Sequence, residues 1–161
     1  MCKPDWKQEA IRLREELAIA NGRILLFEKD VYIPIKPIGE VELIKASSIL
    51  LDVMEGMGDT DGAGIYLPDN FLKVYDKAEV MESRELKEVS AITYVAEKMD
   101  CDDFAAKLFG QFAGLVWTNV HALNWFLAED CKFYFIEPQT GQLSQVLEGW
   151  QGSDIRFFLG R

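Results

Sequence analysis

Histidine is nearly missing from this 161-residue chain: it occurs once, at His121. Any proton transfer near neutral pH that uses an imidazole must therefore use that residue. Cysteine is sparse and odd in number, with Cys2, Cys101 and Cys131 too few and too scattered for a disulfide framework. At least one thiol is left free, so a reducing, cytoplasmic compartment is expected. No apolar run approaches the length that crosses a bilayer, and the N-terminal Met-Cys-Lys-Pro-Asp-Trp-Lys lacks the apolar core of a secretory signal. A phage or prophage protein would need no such signal. Positive charge is also short, 17 Lys and Arg against 27 Asp and Glu, for a formal net charge of −10. That balance repels phosphate backbones and anionic lipid, so neither nucleic acid nor a membrane surface is an expected partner. It suits cationic partners, or a divalent metal gathered by surplus carboxylates.

What is present is the composition of one soluble globular domain, 49% hydrophobic with a mean hydropathy of −0.03. No repeat or low-complexity segment divides it. Residues 4–20 predict an amphipathic helix closed by Asn21-Gly22, and Arg23 to Ile35 reads as extended. Val41 to Met54 is apolar and open between strand and helix. Gly56 to Gly64 is a Gly- and Asp-rich loop. Pro68-Asp69-Asn70 predicts a cap before a short helix through Val74. Longer helices are expected over Ser83–Lys98 and from Asp100 to about Ala113, stopping at Gly114. Strands follow at Leu115–Leu127, Lys132–Pro138, Gln142–Leu147 and Asp154–Leu159, the first two as a hairpin. Helices first and antiparallel strands last is the α+β pattern, in one domain, with residues 1–60 as a possible appended subdomain.

Cys101 opens a helix, where the dipole and unpaired N–H groups favour a thiolate and can serve an oxyanion. The same residue type at a helix start is also often a small buried side chain. Asp102 and Asp103 oppose the thiolate, so a cation must offset them: His121 in its charged form, or a bound metal. After Cys101 the chain offers His121 on a strand and then Glu137 on the next strand. A nucleophile, a base and a carboxylate that orients the base are the parts of acyl transfer through a thiol. Pairing 126 with 132 would set 121 directly opposite 137, with Cβ atoms roughly 5 Å apart. That register needs an odd hairpin loop, here the five residues Leu127–Cys131; a loop of four would put the two on opposite faces.

Cys101-Asp102-Asp103-Phe104-Ala105, then His121-Ala122-Leu123-Asn124, then Ile136-Glu137-Pro138 resembles the papain-like and transglutaminase-like cysteine peptidases. The set is most similar to the protease domain of the fungal Marasmius oreades agglutinin family, and Tyr66-Leu67-Pro68 belongs to the same likeness. The resemblance covers about residues 64–160 and leaves no room for the agglutinin's sugar-binding trefoil. It implies a papain-like α+β fold, peptide or protein substrates, an acyl-enzyme on Cys101, and a Cys101–His121–Glu137 triad. It also implies divalent-cation dependence, with Asp102 and Asp103 where calcium or manganese would sit; no organic cofactor is implied. The chain departs from the papain pattern in having no glutamine at a fitting distance before Cys101 for the oxyanion hole.

Transamidation or deamidation through the same acyl-enzyme stays open. So does a catalytically silent module that keeps the fold for binding or assembly, a phage-encoded one included. Asp59-Thr60-Asp61-Gly62 lacks the ligands of an EF-hand and reads as a solvated turn. Trp117 and Trp125 share the face of His121 if the strand is regular, as cleft walls or as core. Glu79 to Glu88 reads as an exposed helix face.

Overall fold

The computed structural model describes residues 12–14, 16–19, 33–57 and 62–161. The chain separates into two units, Met1–Ile33 and Pro34–Arg161. In the first unit residues 12–14 and 16–19 are helical, and Arg12 faces Glu16 one turn on at 3.7 Å. Cys2, most of the extended stretch expected over 23–35, and residues 59–61 of the acidic loop lie outside the described residues.

The second unit is a mixed α/β structure built on one eight-stranded sheet. Its strands are β1 (Gly39–Glu42), β2 (Gly64–Tyr66), β3 (Phe71–Tyr75), β4 (Gly114–Thr118), β5 (Ala122–Ala128), β6 (Phe133–Glu137), β7 (Gln142–Ser144) and β8 (Ile155–Leu159). The helices are α1 (Leu43–Met57), α2 (Lys77–Glu82), α3 (Arg84–Ser90) and α4 (Cys101–Phe109), with a 3-10 turn at Gly149–Gln151. The strands run β1-β3-β5-β4-β8-β2, with β6 on the other edge of β5 and β7 beyond it. Every residue of β5 is buried, which a strand reaches only when both sheet faces are covered. Leu123, Trp125 and Leu127 enter a core with α1 residues Leu50 and Met54, together with Phe133 and Phe135 of β6. Phe126 and Ala128 enter a second core with Phe104 and Leu108 of α4 and Leu86 of α3.

Several expectations are corrected. The sheet is mixed, since β2–β8 and β3–β5 are parallel, and β1 to β3 precede α2 to α4. The short helix expected before Val74 is strand β3, because Phe71-Leu-Lys-Val alternates between exposed and buried positions and pairs with β1. The helix expected over 83–98 is confined to α3: Ser83 caps it, and β-branched Ile92, Thr93 and Val95 follow its end at Ala91. Glu85, read as part of an exposed face, is buried and accepts the Ile35 N–H at 3.1 Å. α4 stops at Gly110, before Gly114, which instead begins β4 against the Trp125 ring, where a Cβ would collide. The single strand expected over 115–127 is the hairpin of β4 and β5, turning at Asn119-Val120.

Candidate active site

The tight β4–β5 turn delivers the histidine. Thr118 N–H donates to His121 O at 2.9 Å, and the buried Thr118 hydroxyl oxygen accepts the His121 N–H at 3.0 Å. His121 Nε2 lies 2.8 Å from Glu137 Oε2, with the two side chains only 8% and 3% exposed. A carboxylate acceptor at Glu137 pairs with the tautomer that carries its proton on Nε2, which leaves Nδ1 as the ring nitrogen without one.

The pair forms in a register other than the expected one. β5 and β6 pair Asn124 with Ile136 and Leu127 with Phe133, and continuing this ladder sets Glu137 opposite Leu123. His121 is therefore the diagonal neighbour of Glu137, two residues from facing it. The hairpin loop is Glu129-Asp130-Cys131, closed by Cys131 N–H donating to Ala128 O at 2.8 Å and Ala128 N–H to Lys132 O at 2.8 Å. Three residues is again an odd number, so the parity that keeps 121 and 137 on one face survives the shift. Cys131 holds φ +60°, the left-handed third position such loops use.

Glu137 gathers further donors. Its Oε2 also accepts from Gln151 Nε2 at 2.8 Å, and its Oε1 accepts the Gln139 N–H at 3.3 Å. The Trp150 ring lies 5.0 Å from the His121 ring, centroid to centroid, while its indole N–H donates to Glu148 at 2.6 Å. Sequence reasoning missed both Trp150 and Gln151. Nothing marks them locally, because they act through a turn 29 residues downstream of His121 that only the fold returns to it.

Cys101 is the first residue of α4 and half buried. It lines an open cleft of about 260 Å³ with Asp102, Trp117, Thr118, Asn119 and His121. Cysteine and histidine thus face one space at the end of the sheet, with Glu137 behind the histidine. Trp117 is 40% exposed and walls this cleft, whereas Trp125 is buried in the first core. A wider groove of about 390 Å³ between α1 and residues 145–153 contains neither cysteine nor histidine.

Of the two expected metal residues, only Asp102 joins the cluster around Cys101. The ligand atoms of Asp100, Cys101 and Asp102 all fall within 4.8 Å of one another. Asp103 instead turns back and accepts the Asp100 N–H at 3.3 Å, the reciprocal arm of a capping box. Asp100 is held above its ordinary carboxylate value, first by a hydrogen bond with Asp102, then by desolvation and the charges of Asp102, Asp103 and Glu97. Its Oδ1 is buried with no hydrogen-bond partner among the described residues. Behind the helix, wholly buried Asn124 donates from Nδ2 to Ala105 O in α4 at 2.9 Å and to Gly114 O in β4 at 3.0 Å. This anchor pins the helix that begins at Cys101 to the sheet.

No protein-family model and no curated protein matches this chain. Among solved structures it is similar to the PSL1a–E64 complex, with a TM-score of 0.60 and 21% identity over 74% of this chain and 51% of that one. It is also similar to the Polyporus squamosus lectin bound to a human-type influenza-binding epitope, with a TM-score of 0.54 and 20% identity over 74% of this chain and 49% of the lectin. The chain therefore spans about half the length of each. At such identity what is shared is the fold, and function has to be argued from the site.

Proposed function

We propose that this chain is a papain-like cysteine peptidase acting on peptide or protein substrates through Cys101, His121 and Glu137. The observation that supports this best is the buried 2.8 Å bond from His121 Nε2 to Glu137, behind a cleft that His121 shares with Cys101. In this reading the Cys101 sulfur attacks the carbonyl carbon as its proton passes to His121 Nδ1. Backbone N–H groups at the start of α4 meet the oxyanion. The C–N bond then breaks as Nδ1 returns the proton to the leaving amine. Water next attacks the thioester, again giving its proton to Nδ1, and the acid leaves as the thiol re-forms. Glu137 keeps the proton on Nε2 and stabilises the imidazolium. The neighbour described as a complex with E64 fits this reading, because an epoxide of that kind labels a reactive thiol.

A divalent cation belongs to the proposal as a support. Asp100 and Asp102 supply two carboxylates beside Cys101, and the unpartnered Asp100 Oδ1 gives one of them a free acceptor. Calcium prefers six to eight oxygens and manganese an octahedral set, so water or substrate would have to complete either. Bound there, the ion would offset the negative charge that opposes a thiolate. The second reading is a catalytically silent binding module, which the glycan-bound lectin neighbour favours.

Labelling by E-64 or iodoacetamide separates the two readings. Wild type and Cys131→Ala should be labelled rapidly at Cys101, and Cys101→Ala should not. Cleavage of casein should be lost in Cys101→Ala, fall with EDTA and return with calcium or manganese. Equal, slow labelling of every thiol would remove Cys101 as nucleophile.

A further inference from the structure

We propose that Gln151 is a positioning residue of this site: its amide selects the Glu137 oxygen that meets His121 and so holds the imidazole in a single tautomer. The inference rests on the pairing of His121 with Glu137, and its consequence for turnover rests on the peptidase reading.

Two donors converge on one oxygen. Glu137 Oε2 accepts from His121 Nε2 and from Gln151 Nε2, each at 2.8 Å, and all three side chains are shielded from solvent. The orientation of the amide is not free. Its Oε1 accepts the Glu148 N–H at 2.9 Å, so the nitrogen end must face the carboxylate. The backbone at Gln151 is equally held. Its carbonyl accepts the Thr118 hydroxyl at 2.6 Å, and the same hydroxyl oxygen accepts the His121 N–H at 3.0 Å. Gly152 follows at φ +87°, and a Cβ there would lie 2.5 Å from Asn119 Oδ1 and 2.9 Å from Thr118 Oγ1. Thr118 thus ties the 3-10 turn to the turn bearing His121, while the amide ties it to the end of β6. Without the amide, Oε2 keeps one donor and Oε1 keeps the Gln139 N–H at 3.3 Å. The carboxylate can then rotate, and the proton on Nε2 loses its fixed acceptor. Such supporting contacts commonly matter by tenfold or more at sites whose reacting groups stay in place.

The test is unusually clean because the chain has a single histidine. At pH 8, ¹⁵N-resolved NMR of the imidazole reports its neutral tautomer in wild type, Gln151→Met and Gln151→Glu, each first shown to be folded by thermal melting. Gln151→Met keeps the volume and removes the amide. Gln151→Glu keeps the acceptor for the Glu148 N–H but sets a carboxylate against Glu137. Wild type should show the Nε2–H form, and both variants should show a mixture. In peptide cleavage kcat should fall about tenfold or more with KM little changed. A wild-type tautomer in both folded variants overturns the proposal. So does a loss in Gln151→Met with full retention in Gln151→Glu, which would make the amide a support of the turn alone. The NMR readout works equally in a Cys101→Ala background. A wild type that neither cleaves peptides nor takes E-64 would therefore sink the peptidase reading, while the tautomer still decides Gln151.

Discussion

Asn124 offers the sharpest test of how the helix bearing Cys101 is held. Its Nδ2 meets two carbonyl oxygens, Ala105 O at 2.9 Å and Gly114 O at 3.0 Å, while Oδ1 is buried without a partner among the described residues. Asn124→Ala removes two buried hydrogen bonds, each worth about 1 kcal/mol. The void left by the carboxamide adds about 1 kcal/mol, and deletion of the unpaired Oδ1 returns about the same. The net loss should be about 2 kcal/mol, a fall in Tm of roughly 4–8 °C for a domain of this size. Asn124→Asp preserves the volume but places a carboxylate against two carbonyl oxygens, and it should cost about 4 kcal/mol or more. The isosteric change should therefore be worse than the truncation. The sign with pH also follows. Burial raises the folded-state pKa of the new carboxylate above its unfolded value of about 3.9, so its penalty is present at neutral pH and fades on acidification toward that value. Urea denaturation of the three proteins at pH 7 and again near pH 4 measures both effects. An Asn124→Asp protein more stable than Asn124→Ala at pH 7 would refute the donor role assigned to this side chain.

The acidic helix start gives a second pH-dependent expectation. Asp100 has a folded-state pKa above 3.8, so its ionisation opposes folding as pH rises through that window. Asp100→Asn, which keeps a good N-cap, should raise Tm at pH 7, with the difference shrinking as pH falls toward 3.8. A lower Tm at pH 7 would mean that the charge is compensated in the native protein. Gly152→Ala combines a left-handed φ of +87° with a Cβ 2.5 Å from Asn119 Oδ1, and it should cost roughly 2 kcal/mol or more in chemical denaturation. A neutral result would show that the 3-10 turn is free to move away from the β4–β5 turn.

Much of the candidate site was legible because its chemistry is scarce. One histidine, a cysteine opening a helix, and a carboxylate ending a strand of large apolar residues left few combinations to weigh. The parity linking His121 to Glu137 was also legible, since a strand alternates strictly and any odd loop keeps both on one face. The register itself was not. A three-residue loop with Cys131 at φ +60° pairs the strands two residues further along than the five-residue loop expected from sequence. Local pattern also failed where burial on two sides erased periodicity. Leu115 to Leu127 reads as one strand, and the β4–β5 pairing with the bonds of Thr118 shows that it turns at Asn119-Val120.

The sequence by itself determined which chemically competent side chains are present and in what order, because those properties belong to individual residues and their local elements. The tertiary structure decided which of them meet. It brought Asp100 rather than Asp103 to stand with Cys101 and Asp102, because the Asp103 carboxylate is taken by the backbone of its own helix cap. It returned Gln151 and Trp150 to His121 across a turn whose position depends on a threonine hydroxyl and a glycine. Contacts of that kind are set by the packing of distant segments, for which no local pattern of residues provides a signal.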